Sequence, residues 1–576
     1  MDIKQPYTVV EDHGQGDFIY HYPVKADGSV YLAPIRLCEA FDVVGYGTDK
    51  EGQHHHVIEY NNGEHCLIAR GDVGTNEGWR KLRNVINIPS QRRKLDLLTE
   101  YIQERISWER WDIPDSAGWH KDVYILPNGE IIGDKTNILF NGKIPDDKKR
   151  AFGMSGSLTE WQANIGQYAA GNSRLSLFLG AAFAAPLLKW FNIEGGILHI
   201  YGQSTGGKTT IQQAAQSVWG HGKNSGEDWD ATAYALTNVA LALNDGLISL
   251  DEISKDSDGN GVKKAIYAIA NGKGRTRGSQ DSGNRPTARF RVLGISTGET
   301  DLEAHLKKHG HGTMAGELVR CPSIPHKLEN HHNFADYREF ATHLNKSVTK
   351  YYGTAGREFL HIVANDLSKF KSLAAALYEQ HLARLQSQYD VNDQSARTAR
   401  LFAAAMTGAE LASQLHILPL PSDGVIAAIE SCFSDWLALQ PKQASYEDDK
   451  ILRQAIDFLQ THDLLFNNPE SPFMPPRECP GYVKRYHENE TEYYIYPKVF
   501  RDEICRGFDE KKVMEVLHQC EWLCKGAENR WQYQLQGLEP MTQNRKCLGR
   551  FYKFVGIEPE TLLPFDQRRK SRNPRN

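Results

Sequence analysis

Nine consecutive residues, Gly202-Gln203-Ser204-Thr205-Gly206-Gly207-Lys208-Thr209-Thr210, have the types and spacing to hold a chain of phosphates. Glycines at 202 and 207 let backbone N–H groups turn inward toward one anion. A helix starting at Lys208 would aim its positive end at the same point. Lys208 then offers an ammonium to the terminal phosphates, and Thr209 a hydroxyl to Mg2+. The apolar run Gly196–Tyr201 ahead of this loop reads as a strand, and Ile211–Trp219 behind it as an amphipathic helix. That strand–loop–helix context separates a phosphate-binding loop from a chance glycine-rich turn. ATP and Mg2+ are the expected ligands.

The rest of a hydrolytic site should lie at the ends of further short strands. Gly246–Leu250 is apolar and runs into Asp251-Glu252. Two acids there are costly unless they have work to do. Asp251 would hold the Mg2+ shell, and Glu252 would orient or deprotonate the attacking water. A third strand, Phe290–Ser296, leads into Thr297, and Thr297 or Ser296 could contact the γ-phosphate or the water; the alternative is a plain turn. A fourth, Glu317–Ile324, carries Arg320, whose charge needs either an internal partner or the phosphate bound by a neighbouring subunit. The helix Gln394–Leu415 opens with Arg397 and Arg400, which either reach nucleotide from a helical lid or stand in solvent. Between the second and third strands, Ile266–Arg289 strings Lys273, Arg275, Arg277, Arg285 and Arg289 among glycines, either a grip on a phosphate backbone or a solvated charged loop.

These elements need a multidomain scaffold, since 576 residues exceed one core. Residues 1–150 read as mostly strands, including Phe18–Tyr22, Val30–Pro34 and His56–Tyr60, with one helix near Arg92–Ile106. Residues 155–440 alternate helices with short apolar strands and then turn helical. Boundaries are expected at Leu418–Gly424 and at the proline-rich Asn467–Tyr482. Residues 441–565 follow the order strand, helix, turn, helix, hairpin of a winged helix, which binds duplex DNA or a protein. The basic tail 566–576 is expected to be disordered. His54–His56 reads as an exposed turn or strand end.

Net charge is −5, so any nucleic-acid contact must come from local patches. The nine cysteines include no CxxC pair, which fits a reducing cytoplasm. The most apolar run, Leu177–Phe191, is shorter than a bilayer span of about 20 residues and reads as a buried helix.

Several motifs together resemble the helicase-like ATPases of phages, prophages and other mobile elements. They are GWH (Gly118–His120), GSLTEW (Gly156–Trp161), AAFAAPLL (Ala181–Leu188), GQSTGGKTT, SVWG (Ser217–Gly220), LDEIS (Leu250–Ser254) and ANGKGRTR (Ala270–Arg277). STGET (Ser296–Thr300), AGELVRCPSIP (Ala315–Pro325), RTARLFAAAMTGAELA (Arg397–Ala412) and YYIYPKVFRDEICRGFD (Tyr493–Asp509) extend the match. The resemblance is to AAA+ ATPases similar to MCM helicases, which form hexameric rings on DNA. It implies a P-loop AAA+ core, a mostly β N-terminal collar and a C-terminal winged-helix-like module. It implies hydrolytic roles for Lys208, Thr209, Asp251 and Glu252, an arginine finger at Arg320 and a lid arginine at Arg397. Lys273, Arg275 and Arg277 would lie on a pore hairpin that grips single-stranded DNA. MCM proteins usually present Asn at the end of the third strand, where this chain has Ser296-Thr297. No primase-like carboxylate cluster or zinc ribbon is visible in residues 1–150, so primer synthesis would need another protein. The expected function is a replicative DNA helicase of a mobile element; the alternative is an ATP-dependent DNA-binding or protein-remodelling switch, for example in phage defence.

Overall fold

The computed structural model describes residues 4–12, 14, 16–61, 63–105, 107–134, 136–142, 145–203, 207–256, 259–274, 287–312, 315–440, 446–471, 473–486, 491–526, 530–538 and 544–555. The chain is a multidomain α/β protein of two compact units, Met1–His311 with Gly316–Trp436, and Gly312–Ala315 with Leu437–Asn576.

The first unit begins with antiparallel strands. β1 (Tyr7–Asp12), β2 (Asp17–Tyr22) and β3 (Ile35–Glu39) form one sheet. β4 (Phe41–Thr48), β5 (His54–Tyr60), β6 (Glu64–Ala69) and β7 (Arg110–Asp112) form another, in the order β6-β5-β4-β7. Alternate residues of β4 are buried, as a half-covered sheet requires. Helices α1 (Asn76–Arg83) and α2 (Arg92–Glu104) supply Trp79, Leu98 and Ile102 to a core shared with Ile19, Leu37, Ile58 and Ile68. The Thr75 side chain caps α1 by accepting from the Gly78 N–H. β8 (Gly118–His120), β9 (Val123–Ile125) and β10 (Ile131–Ile132) complete this part as a small meander.

Val30–Pro34 was expected as a strand and is not one. It makes a single bridge, Val24 to Tyr31, and Val30, Tyr31 and Leu32 stay exposed. With no face to bury, and with Pro34 lacking a donor, alternation alone does not hold a strand. His54 is exposed as expected, but His55 is buried against Asp49, its Nε2 2.8 Å from the carboxylate.

The centre of the unit is a parallel sheet. The chain passes α3 (Asp146–Ala151), α4 (Leu158–Asn164) and α5 (Ser173–Ala184), then β11 (Gly195–Tyr201), α6 (Lys208–Gln216), β12 (Glu227–Asp228) and α7 (Ala233–Ala242). β13 (Gly246–Asp251), α8 (Asn260–Ala270), β14 (Val292–Gly298), α9 (Leu302–Lys308), α10 (Ala315–Leu318) and β15 (Ser323–Pro325) follow. The strand order is β12-β13-β14-β11-β15. Buried on both faces, β11 and β14 are near-continuous apolar runs, as parallel strands are. The fourth strand is shorter than Glu317–Ile324: Glu317 lies in α10, and Arg320 in the turn after it. Pro322 and Pro325 remove ladder donors, which confines β15 to three residues on the sheet edge.

Helices close the unit: α11 (Tyr337–Ser347), α12 (Thr354–Asn365), α13 (Leu367–Gln388), α14 (Asp393–Gln414) and α15 (Ser422–Ala438). Every residue of α5 is buried. α5 meets α14 where Gly180 faces Ala405 and Ala409, and a Cβ at Gly408 would collide with the Ala184 backbone. The alanine-rich stretches of both helices are thus a close-packing device. Among the described residues no helix is long and apolar enough to cross a membrane.

The second unit runs α16 (Tyr446–His462), β16 (Gly481–Arg485), β17 (Thr491–Ile495), α17 (Pro497–Val499), a π turn at Phe500–Ile504, α18 (Glu510–Gln519), β18 (Leu523–Cys524), β19 (Tyr533–Leu538) and β20 (Arg545–Phe554). Its sheet has the order β16-β17-β20-β18, with β19 paired to β20. Ile451, Phe458, Tyr493, Phe500, Leu517 and Phe554 share its core. The two proline-rich stretches expected as boundaries lie inside the units. Leu418–Gly424 joins α14 to α15, and Asn467 bridges Tyr482. The tail 566–576 lies outside the described residues.

Candidate nucleotide site

At the C-terminal end of β11 the chain enters the glycine loop, of which Ser204, Thr205 and Gly206 lie outside the described residues. Gly207 has φ +85°, a conformation that favours glycine, and is the cap residue before α6. Lys208 is 6 % exposed, and its ammonium donates to the carbonyl oxygens of Gly202 (2.9 Å) and Gln203 (2.8 Å). Thr209 is exposed, with its Oγ1 3.5 Å from Asp251 Oδ1. Thr210 is buried in the helix.

The parallel pairing of β13, β14 and β11 brings the other carboxylates and hydroxyls to this end. Thr297 Oγ1 lies 2.8 Å from Asp251 Oδ1 and 3.1 Å from Gln212 Oε1, and it accepts from the Glu252 N–H at 3.3 Å. Gln212 in turn donates to Ser249 Oγ at 2.8 Å. Thr297 is therefore a node joining the loop helix, the carboxylate strand and the Glu252 backbone. Glu252 itself takes φ +49°, rare for a residue with a side chain, and its carboxylate accepts from Ser254 Oγ at 2.7 Å. Lys255 stands beside the pair, 2.7 Å from Asp228 and 3.9 Å from Asp251, with Asp228 opposite Asp251 in the strand register. Its ammonium is held above the ordinary lysine range, first by the hydrogen bond to Asp228.

The structure separates Ser296 from Thr297. Neighbouring strand residues face opposite ways, and although both are fully buried, Ser296 turns to the face away from Asp251 and Gln212. Its hydroxyl accepts from Trp229 Nε1 (2.8 Å) and meets His199 Nδ1 at 3.0 Å. His199 is fully buried, and burial pushes its pKa down to about 4. It is neutral, donating from Nε2 to the Thr300 carbonyl (3.1 Å) and accepting the Ser296 proton. With its one proton given to His199 and a lone pair to Trp229, Ser296 belongs to this buried chain, and of the two only Thr297 meets Asp251; this separates Ser296 from Thr297, which were paired as γ-phosphate contacts. Gln212, Asp228, Ser254 and Lys255 were not singled out in the sequence. Gln212 stands one helical turn after Lys208, a spacing that could have flagged it.

The arginines occupy the other end of the sheet. Arg320, Arg397 and Arg400 line a cavity of about 220 Å3 with Asn192, Glu194 and Asn271. Arg320 donates to Gly316 O (2.8 Å) and Asn271 Oδ1 (3.3 Å) and lies over the Tyr267 ring. Burial first, and then the nearby Arg397 charge, lower the Arg320 pKa. Arg400 donates to the Asn192 carbonyl at 2.8 Å. From Gly195 to Tyr201 is about 20 Å at the rise of a parallel strand. Arg397, expected as a lid arginine, thus lies at the end of the sheet away from the glycine loop of its own chain.

Near the same end, Lys273 bridges Arg289, and the Gly274 N–H donates to Ala288 O at 2.9 Å. These pairs draw together the two ends of the segment between α8 and β14, with Lys273 and Arg289 exposed. Arg275, Arg277 and Arg285 lie outside the described residues.

Residues 66–289 match the family described as "Domain of unknown function (DUF927)". No curated protein matches the chain. Among solved structures, one titled "SCCmec type IV Cch - active helicase" aligns with a TM-score of 0.68 at 16% identity, over 91% of this chain and 95% of that one. "The A form apo structure of NrS-1 C terminal region-CTR" aligns with a TM-score of 0.27 at 12% identity, over 64% of this chain and 87% of that one. The chain thus carries a match to that family over residues 66–289 and shares the fold of the structure titled "SCCmec type IV Cch - active helicase" over nine-tenths of its length.

Proposed function

We propose that this chain is an ATP-dependent DNA helicase of a phage or other mobile genetic element, an AAA+ motor similar to MCM helicases and working as a homo-hexamer. The observation that carries this reading is the parallel order β12-β13-β14-β11-β15, with the glycine loop and acids at one end and, about 20 Å away, arginines that form no ion pair among the described residues. Such a sheet holds half a hydrolytic site at each end, and a ring joins the halves.

In this reading the backbone of Gly202–Gly207 and the Lys208 ammonium bind the β- and γ-phosphates of ATP. The carbonyl oxygens that Lys208 now bonds are acceptors of the kind that phosphate would supply. Thr209 and Asp251 offer hydroxyl and carboxylate oxygens close together, the donor class that suits Mg2+. Mg2+ held there would neutralise charge on the phosphate oxygens. Glu252 orients or deprotonates the attacking water, and Thr297 fixes the Asp251 carboxylate and the Glu252 backbone relative to each other. Arg320 and Arg397 of the next copy meet the charge that develops on the γ-phosphate. The hairpin rooted at Lys273 and Arg289, with Arg275 and Arg277 on it, grips one DNA strand. In the second unit, α18 and the β19–β20 hairpin act as a winged-helix-like module that loads DNA or binds a replication protein.

The test is ATP-dependent strand displacement on a forked DNA duplex. The wild type should unwind it. Lys208→Ala should lose about 100-fold or more of both hydrolysis and unwinding. A wild type that hydrolyses ATP but separates no forked duplex would move the assignment to an ATP-driven switch.

A further inference from the structure

The turn between α7 and β13 carries a constellation that the hydrolytic site does not use. Asp245 directly precedes β13, is 3 % exposed and takes φ +53°. Its carboxylate accepts from the Trp119 N–H and from Asn244 Nδ2, both at 3.2 Å, and lies 3.3 Å from an Arg291 guanidinium nitrogen. Its carbonyl accepts from Tyr124 Oη at 2.8 Å, and its N–H donates to the Arg291 carbonyl at 2.6 Å. Asn244 reaches both ways, donating to Ala117 O (3.1 Å) and accepting from the Arg291 N–H (2.9 Å). Arg291 also donates from Nε to Ile193 O at 2.9 Å. Gly118 has φ +95°, and a Cβ there would stand 2.6 Å from the Asn244 carbonyl oxygen, so the β8 strand is pressed onto this turn. The Trp119 indole is fixed separately, by a 2.7 Å bond to Pro186 O.

Two features make this more than a packing joint. Arg291 lies two residues after Arg289, one side of the root of the basic hairpin. Asp245 lies six residues before Asp251 on the strand that ends in the catalytic acids. A buried, charge-paired contact joins the two, and each of its groups is hydrogen-bonded, so a shift of one strand start is resisted by or passed to the other. Burial raises the Asp245 pKa, and Arg291, the Trp119 N–H and Lys189 oppose that rise.

We propose that Asp245 is a positioning residue that couples a polynucleotide held at the Lys273–Arg289 hairpin to the Asp251–Glu252 acids through its ion pair with Arg291. This rests on the proposed reading of the hairpin as a DNA grip. The substitution that isolates the pair is Asp245→Asn: asparagine tolerates a left-handed backbone and keeps an acceptor for the Trp119 N–H, but carries no charge for Arg291. Arg291→Gln removes the same pair from the other side.

The experiment measures ATP hydrolysis by the full chain with and without single-stranded oligo(dT), together with binding of labelled oligo(dT) and thermal unfolding. Both variants should keep unstimulated hydrolysis and oligonucleotide affinity within about two-fold. Stimulation by oligo(dT) should fall about five-fold or more, and the double variant should be no worse than either single one. Should Asp245→Asn fail to fold, Arg291→Gln alone decides. Full stimulation in a folded variant overturns the inference, as does a variant whose stimulation falls only because its oligonucleotide affinity falls. A wild type that hydrolyses ATP and is indifferent to oligo(dT) overturns the DNA-motor reading, and this inference with it.

Discussion

The two ends of the central sheet differ in how their charges are handled. At the end that carries Lys208, Asp251 and Thr297, each charge or hydroxyl has a partner in the same chain, at distances of 2.8–3.5 Å. At the other end burial, and then the nearby Arg397 charge, disfavour the charge on Arg320, and among the described residues no carboxylate forms an ion pair with either arginine, although Glu194 lines the same cavity. Two guanidiniums left near each other have an electrostatic cost that an anion would relieve. One end is a nearly satisfied binding site; the other is a donor surface awaiting a negative charge. A single copy with this arrangement should bind nucleotide well and hydrolyse it poorly.

The largest effect should come from Arg320→Ala. Hydrolysis should fall about 1,000-fold, the scale of a missing arginine finger, while nucleotide affinity stays close to wild type. Mixing is the sharper measurement. Lys208→Ala and Arg320→Ala chains are each inactive alone, but combined in one assembly they create interfaces with an intact Lys208 on one side and an intact Arg320 on the other. Phosphate release should reappear on mixing. If it does not, and Arg320→Ala still abolishes hydrolysis, the arginine acts within its own chain and the two-ended comparison fails.

The end with the glycine loop was the more legible in sequence, for a physical reason. A phosphate loop is contiguous, and glycines, lysine and threonine must stand at fixed offsets from one strand and one helix. Asp251-Glu252 could be read because an apolar strand rarely runs into two acids without cause. Arg320 was found but put on a strand, because its apolar neighbours Leu318, Val319 and Cys321 imitate one; the prolines at 322 and 325 decide otherwise. Arg397 was read as a lid arginine without a choice of subunit, because helix order says nothing about which end of the sheet a helix start approaches. Gln212, Asp228 and Lys255 are brought to the acids by strand register and helix packing, which no local spacing encodes. Asp245 and Trp119 meet across 126 residues of chain.

Within the nucleotide end, Thr297 and Ser296 give a finer contrast. Thr297→Val removes the hydroxyl that meets Asp251 and Gln212 while keeping the shape. Loss of a hydrogen bond to a charged group costs about 1.5–3 kcal/mol, so hydrolysis should fall about 10- to 100-fold, with a raised Mg2+ requirement. Ser296→Ala leaves Trp229 Nε1 and His199 Nδ1 without their shared partner. It should lower stability by about 1–3 kcal/mol and change the hydrolytic rate little. Paired phosphate-release and thermal-unfolding measurements separate the two outcomes. Equal rate losses in both variants would mean that the strand as a whole, and not the face of Thr297, determines the chemistry.

The smallest effect concerns pH. His199 is held neutral beneath the nucleotide end, with its pKa down at about 4 against 6.5 when unfolded. The unfolded chain therefore binds the proton more readily, so this histidine's contribution is complete above pH 6.5 and is lost as pH falls toward 4. At pH 5 the loss is about 2 kcal/mol relative to pH 7, taking 1.36 kcal/mol per pH unit over the interval in which only the unfolded form is protonated. His199→Gln has no titrating group and an amide for the same partners. Its stability should decline less than wild type between pH 7 and pH 5, by about that amount. Among the described residues the arginine-lined cavity holds no histidine, so acid should weaken the end that binds nucleotide before it touches the end that completes the neighbouring site. Parallel pH dependences in wild type and variant would show that His199 titrates normally and that the Trp229–Ser296–His199 chain is open to water.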